Sequence, residues 1–141
     1  MTFNNFRRNV MTKQDKLKLM NSCGGFNKHN GVTVTDISDE LCVVEGELLP
    51  EAMNPQGMAH GGFVYSLCDV AAGAVVGQNG GEFVTLSANM SYLRPSKGTK
   101  LRAEGRLLKK GRTVCVVDTL VYDDQDRLTA RGTFEIYIVK S

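Results

Sequence analysis

The sequence of 141 residues has no apolar run long enough to cross a lipid bilayer, no large excess of charge and no paired metal ligands. The formal net charge of +2 is too small to attract nucleic acid by overall electrostatics. Arg7 and Arg8 near the start are not followed by an apolar stretch, so we expect no signal peptide. The sequence therefore favours a protein that binds neither nucleic acid nor membrane.

Cysteine is scarce and widely spaced. No CxxC pair and no Cys/His zinc spacing occurs, which argues against a structural metal. In an apolar string, a cysteine is usually a small buried residue. With no export signal in view, we expect a cytoplasmic protein whose thiols are reduced. The four residues concerned are Cys23, Cys42, Cys68 and Cys115.

The composition is typical of one globular domain, with 42% apolar and 23% charged residues. We divide the chain into an N-terminal segment, residues 1–30, and a main domain, residues 31–141. Within the first segment, residues 12–22 predict a short helix that Thr12 caps and that ends before Gly24.

The main domain begins with β-branched residues over 32–37 and 41–49, which predict either one long bent strand or a hairpin. Residues 61–78 predict a helix that is apolar on nearly every side and must therefore be buried. Four strands joined by short turns follow between residues 83 and 138, and the short turns predict that strands adjacent in the sequence pair antiparallel. The first of them alternates apolar and polar residues, and its expected inner face is formed by Val84, Leu86, Ala88, Met90 and Tyr92.

These elements predict an α+β fold in which a curved antiparallel sheet wraps around one long central helix. A sheet from one chain cannot cover a helix on all sides, so a partner must cover the rest. The second half of the helix is rich in small residues, which indicates that another element packs closely against it. These residues are Ala71, Ala72, Gly73, Ala74 and Gly77.

A candidate site lies at the start of this helix. The glycine-rich segment around Gly61 can present backbone N–H groups to an oxyanion. Asp69 is a carboxylate within an apolar helix, where burial is unfavourable unless it serves a purpose. The two residues are roughly 12 Å apart along a helix, so a small carbonyl group cannot reach both in one chain. Two such helices, packed antiparallel across a two-fold axis, would bring Gly61 of one chain near Asp69 of the other.

The string N-x-x-G-x-x-H-G-G-x(4)-L-x-D over residues 54–69 resembles the hotdog-fold acyl-CoA thioesterases. The chain is most similar to the PaaI-like branch of phenylacetic acid degradation, and also to the mammalian group called thioesterase superfamily member two. The likeness covers about residues 30–139. It implies hydrolysis of an acyl-CoA to free acid and coenzyme A, with no metal or redox cofactor and with a homotetramer built from dimers.

The resemblance also implies roles for individual residues. Asn54, His60 and Gly61 would line the carbonyl side of the site, where the Gly61 N–H polarises the thioester oxygen. Asp69 of the facing subunit would act as the nucleophile or as the general base that activates water. Thr85 matches a position that helps to place this water. Burial would raise the pKa of Asp69 and a nearby helix N-terminus would lower it, so the sign of the shift stays open.

Coenzyme A carries phosphate groups, which arginine and lysine bind well. The candidates lie just after the strand that begins at residue 83 and at the next turn along the chain. Each could equally be an ordinary solvated residue. Gly62 is also a candidate substrate-binding residue, although Gly61 and Gly62 could simply be needed for close helix packing. The basic candidates are Arg94, Lys97, Lys109, Lys110 and Arg112.

Several alternatives remain open at this stage. Asp69 could be a structural carboxylate held by the backbone or by Thr85, His60 could only position its neighbours, and Asn54 could only cap a turn. A serine hydrolase is disfavoured because no G-x-S-x-G string occurs. A hotdog hydratase is disfavoured because no aspartate lies five residues before a histidine. A non-catalytic acyl-CoA-binding or sensor protein on the same fold is the main rival.

Overall fold

The computed structural model describes residues 10–22 and 24–140. Within these ranges there are three α-helices, six β-strands and one short 3₁₀ helix, Pro50–Ala52. The helices are α1 (Lys13–Asn21), α2 (Gly25–His29) and α3 (Gly61–Gly77). The strands are β1 (Val32–Ile37), β2 (Leu41–Glu47), β3 (Glu82–Tyr92), β4 (Lys100–Lys110), β5 (Val114–Tyr122) and β6 (Leu128–Lys140).

The six strands form one antiparallel sheet in the order β1-β2-β4-β5-β6-β3. Helix α3 contacts all six strands, so the sheet curves around it, and the predicted α+β architecture is confirmed. The first strand region is a hairpin, which settles the alternative left open by the sequence. The expectation that all four later strands pair with their sequence neighbours is wrong for β3, which pairs with β6 at the far edge and not with β4.

The predicted N-terminal helix is present as α1, and Thr12 and Asp15 form a reciprocal capping box at its start. Gly25, however, begins a second short helix, α2, which the sequence did not indicate. The side-chain amide of Asn21 donates to the Val34 carbonyl and accepts from the Val34 N–H, both at 2.9 Å. Asn21 thereby occupies part of the otherwise unpaired edge of β1.

Helix α1 is also tied to the end of α3. Lys16 Nζ donates to Gln78 Oε1 at 2.9 Å, and only 13% of the Lys16 side chain is exposed. Gln78 is fully buried, and its Nε2 donates to the carbonyl oxygens of Ser38 and Val75. A positive charge near the C-terminus of α3 also suits the helix dipole.

The small residues of α3 allow the close packing that the sequence indicated. An added Cβ on Gly105 of β4 would lie 2.9 Å from the carbonyl carbon and oxygen of Ala71. The Phe83 ring of β3 fills the space next to Gly73 and Gly77. The helix therefore rests almost directly on β4, whereas the Phe83 ring lies between it and β3.

The predicted inner face of β3 is only partly correct. Its pairing with β6 shifts between Thr85 and Ser87, so Leu86 is an extra, bulged residue. Before the bulge, Val84 lies opposite the partly exposed Tyr137 and is itself 53% exposed. After it, Ala88 and Met90 pack on the core as expected. The bulge therefore reverses the alternation, so Val84 does not share the inner face.

Cys42, Cys68 and Cys115 are buried free thiols, whereas Cys23 lies outside the described residues. Burial raises the pKa of Cys42 to about 12 and that of Cys68 to about 11. Thiols in this state are poor nucleophiles at neutral pH. Of the helices described, none combines the length and apolar character needed to cross a membrane.

We predict that Gly105→Ala lowers the free energy of unfolding by about 1–3 kcal/mol, because the new methyl group meets the backbone of Ala71, which cannot move aside. Gly25→Ala is the matched control, since nothing lies within 4 Å of the added Cβ. Urea unfolding of both variants measures the difference. Equal stability of the two variants would contradict the close approach of α3 to β4.

Candidate active site

The first turn of α3 leaves one backbone donor without an acceptor. His60 is the N-cap, and its Nδ1 accepts the Gly62 N–H at 2.8 Å. The His60 carbonyl accepts from the N–H groups of Phe63 and Val64 at 2.9 and 3.1 Å. Within the described part of the chain, no acceptor binds the N–H of Gly61. It is therefore available to an oxyanion at the positive end of the helix dipole.

The carbonyl of Gly61 is held from outside the helix. Tyr92, the last residue of β3, donates its hydroxyl hydrogen to this oxygen at 2.8 Å. The sequence placed Tyr92 only on the apolar face of a strand and assigned it no role at the site. No local motif marks it, because its position depends on β3 lying against the start of α3.

A cleft of about 330 Å³ opens beside Gly61. Asn54 lines it, and its Oδ1 accepts from the N–H groups of Gln56 and Met58 at 3.0 and 3.1 Å. The Nδ2 group of Asn54 then remains as a donor with no partner among the described residues. The other lining residues are Met58, Ala59, Val64, Tyr92, Leu93, Arg94, Pro95 and Ser96.

Asp69 lies two turns further along α3, next to the edge strand β3. The Thr85 hydroxyl donates to Asp69 Oδ1 at 2.6 Å. No other hydrogen bond or ion pair reaches this carboxylate from the described residues. Asp69 is also partly exposed, so its second oxygen can be approached by solvent or by a ligand. One carboxylate oxygen is therefore free to act on a ligand.

The structure brings the predicted residues together in two groups. Asn54, His60, Gly61 and Arg94 lie at the start of α3, and Asp69 and Thr85 lie at its middle. Because Gly61 and Asp69 are about 12 Å apart along the helix axis, the two groups do not meet within one chain. The N–H of Gly62 is already bonded to His60. Gly62 therefore has no free N–H with which to bind a ligand.

The predicted basic residues are also divided between two places. Arg94 lines the cleft beside Gly61, and Lys97 is exposed on the loop after it. Lys109 and Lys110 end β4, and Lys110 and Arg112 line a second cleft of about 750 Å³ at the other end of α3. In one chain, therefore, a single ligand phosphate cannot engage both sets.

Comparison with known proteins is consistent with this geometry. Residues 56–130 match the thioesterase superfamily. A predicted esterase from Halobacterium salinarum is 31% identical over 123 residues, covering 76% of this chain and 81% of that protein. The fold is similar to PaaI of the Escherichia coli phenylacetic acid degradation operon, with a TM-score of 0.83, 20% identity and coverage of 89% and 92% of the two chains. This likeness confirms the predicted hotdog fold.

Two streptococcal structures are closer in sequence. A hypothetical thioesterase protein from Streptococcus pneumoniae, solved with coenzyme A, is 30% identical, with a TM-score of 0.73 and coverage of 78% and 87% of the two chains. A protein from Streptococcus mutans bound to acetyl CoA is 30% identical, with a TM-score of 0.73 and coverage of 78% and 90%. Mutants of the Streptococcus pneumoniae protein, in which one aspartate or one threonine is replaced by alanine, have also been solved, and the two positions are 16 residues apart.

We predict that His60→Ala lowers the free energy of unfolding by about 1 kcal/mol, because the Gly62 N–H loses its acceptor. His60→Asn should stay within about 0.5 kcal/mol of the wild type, since asparagine is a good N-cap. Thermal and urea unfolding of both variants test this. Equal destabilisation in the two variants would show that His60 does more than cap the helix.

Proposed function

The chain belongs to the thioesterase superfamily and is a thioester hydrolase, and from this premise we propose that it hydrolyses an acyl-coenzyme A to free acid and coenzyme A. The observation that carries the proposal is the free Gly61 N–H at the head of a cleft, on the same helix as the partly exposed Asp69. The coenzyme A and acetyl CoA bound to the two streptococcal proteins support this substrate class.

The start of α3 would bind the carbonyl oxygen of the thioester. When water adds to the carbonyl, negative charge develops on this oxygen, and preformed donors stabilise it. Gly61 and Asn54 both line the cleft, and the Gly61 N–H and the Asn54 Nδ2 group both lack a partner in the described chain. Arg94 at the same cleft is placed to attract a phosphate of coenzyme A.

Asp69 would supply the attack on the carbonyl carbon. It either takes a proton from a water molecule that then adds, or adds itself and is later hydrolysed. Thr85 gives its hydroxyl hydrogen to Asp69, so the hydroxyl oxygen can still accept a hydrogen bond from this water. The thiolate of coenzyme A is a good leaving group, so the mechanism requires no metal or redox cofactor.

The streptococcal mutants support this pairing of residues. The aspartate and the threonine that were replaced lie 16 residues apart, and Asp69 and Thr85 are separated by the same number. The two residues of our chain are also joined by a hydrogen bond. A shared spacing in proteins 29% identical favours the same pair in both.

We propose that the complete site forms in a homodimer. One face of α3 carries Tyr65, Asp69 and Gly73 at helical spacing, and none of the three is fully buried in a single chain, although β3 contacts Asp69 and Gly73. Strand β3 is an edge strand with exposed Val84 and Leu86, whereas Asn21 obstructs the opposite edge at β1. A second copy that joins at β3 would cover this face and bring its Asp69 to Gly61 of the first.

The same arrangement would bring the two sets of basic residues close together. In antiparallel helices, the end of one α3 lies beside the start of the other. Lys110 and Arg112 of one subunit, with Lys109 close by, could then join Arg94 and Lys97 of its partner around the phosphates of coenzyme A. We extend the proposal to a dimer of dimers, for which exposed Tyr137 and Val139 on the outer face of β6 offer apolar surface.

We predict that Asp69→Asn reduces kcat for acyl-CoA hydrolysis by about 10²–10⁴-fold, because the amide can neither accept a proton from water nor attack the carbonyl. Folding and binding of coenzyme A should be unchanged. Thiol release from a panel of acyl-CoA esters, measured with EDTA present, provides the test. The exposed Glu51→Gln is the charge-matched control.

Full activity of Asp69→Asn would reject the role given to this residue. Tight binding of acyl-CoA esters by the wild type, without any turnover, would instead favour the sensor.

We predict that two inactive variants restore activity when their subunits are mixed. Gly61→Pro replaces the N–H with a ring carbon, at the first helical position where proline is well tolerated, and should reduce kcat by at least about 10²–10³-fold, because the donor is lost and its place is filled. Gly61→Ala keeps the N–H, and its new Cβ would make an ordinary contact with Tyr92 at 3.6 Å, so it is the matched control.

A dimer of one Gly61→Pro and one Asp69→Asn subunit would hold one intact site and one doubly altered site. With random exchange, half of the dimers are mixed, so about a quarter of the wild-type activity should return. Refolding the two variants together and measuring thiol release checks this. Absence of any recovery, with mixed dimers shown to be present, would place both groups in one chain.

A further inference from the structure

Two consecutive peptide groups determine the direction of the Gly61 N–H. The Gly61 N–H belongs to the same peptide group as the His60 carbonyl. This carbonyl accepts hydrogen bonds from the N–H groups of Phe63 and Val64 within the helix. The next group, between Gly61 and Gly62, is held at both ends: Gly62 donates to His60 Nδ1, and the Gly61 carbonyl accepts from Tyr92. Every other polar atom of these two groups is bonded, and the Gly61 N–H alone is free among them.

The Gly61 carbonyl also accepts the helical N–H of Tyr65, so among the described residues only the hydrogen bond from Tyr92 reaches these two groups from outside α3 and its N-cap. The hydroxyl oxygen and two ring carbons of Tyr92 lie 3.6 Å from the position that a Cβ on Gly61 would take, so the ring also lies against this turn. Partial burial, with smaller effects of Cys68 and Tyr65, raises the pKa of Tyr92. The hydroxyl therefore keeps its proton and remains a donor at neutral pH.

This turn needs an external support for two reasons. Two adjacent glycines allow more backbone conformations than any other pair of residues. The first turn of a helix also frays more readily than its interior because its donors have no helical acceptors. A donor that stabilises an oxyanion is effective only when it is already in place before charge develops.

We propose that Tyr92 is a positioning residue for hydrolysis, whose hydroxyl fixes the Gly61–Gly62 peptide and so directs the Gly61 N–H at the thioester oxygen. The inference rests on the proposed function, and it gives β3 a second contribution to the site beside Thr85. Tyr92 does not donate to the substrate itself, because its single hydroxyl hydrogen is already bonded to Gly61.

Tyr92→Phe tests the proposal, because it removes the hydroxyl and keeps the ring against Gly61. A misdirected donor should be less harmful than a missing one, so we expect kcat to fall about tenfold, with KM changed less than about twofold. Hydrogen exchange of the Gly62 amide should become faster, while amides in the middle of α3 stay protected. Tyr122→Phe, on the opposite face of the sheet and with no hydrogen bond to its hydroxyl in the described chain, is the control and should change none of these values.

The possible results separate this inference from the proposed function when Gly61→Pro is measured in parallel. If Gly61→Pro is inactive and Tyr92→Phe keeps the wild-type kcat, Tyr92 has no positioning role and the proposed function stands. If Gly61→Pro is fully active, the oxyanion role of Gly61 fails and the role of Tyr92 fails with it. A rise in KM alone, or faster exchange throughout α3, would assign Tyr92 to substrate contact or to general stability and would also overturn the proposal.

Discussion

A helix that starts inside a protein leaves its first N–H groups without helical acceptors, and at α3 the way in which these groups are satisfied decides where chemistry can occur. His60 binds the N–H of Gly62, and its own carbonyl binds those of Phe63 and Val64. The Gly61 N–H is left over, next to a cleft and at the positive end of the helix dipole. A Cβ at position 61 would make only an ordinary contact with Tyr92 at 3.6 Å, so the donor depends on the free N–H and not on the absence of a side chain.

The helix also fixes the distance between the donor and the carboxylate. Asp69 lies eight positions after Gly61, and a helix is too stiff to shorten this distance of about 12 Å. A carbonyl group held at Gly61 therefore needs a carboxylate other than Asp69 of the same chain. A second, symmetry-related copy of the chain would supply its own Asp69. The small residues of α3 serve the same end, because they let the helix pack closely on β4 and on the Phe83 ring of β3, which fixes its position in the sheet.

The local parts of this arrangement could be predicted from the sequence. A continuous apolar pattern with glycines after it gave residues 61–78, and the structure has Gly61–Gly77 with Gln78 as C-cap. The pairing of β3 with β6, the support of the β1 edge by Asn21 and the contact of Tyr92 with Gly61 could not be predicted. Each joins residues far apart in sequence, and no local pattern encodes such a contact.

The bulge at Leu86 determines which side chains of β3 face the site. A regular strand with Ala88 and Met90 on its inner face would also turn Val84 inward and Thr85 away from Asp69. The extra residue reverses the alternation, so Thr85 reaches Asp69 while Val84 stays on the outer face of the sheet edge. Further along, the same strand ends in Tyr92 at the start of α3. Strand β3 thus contacts both halves of the site and also carries the free edge at which a second subunit would join. A change that alters its register should therefore disturb oligomerisation, the carboxylate and the oxyanion donor together, because all three depend on the same backbone.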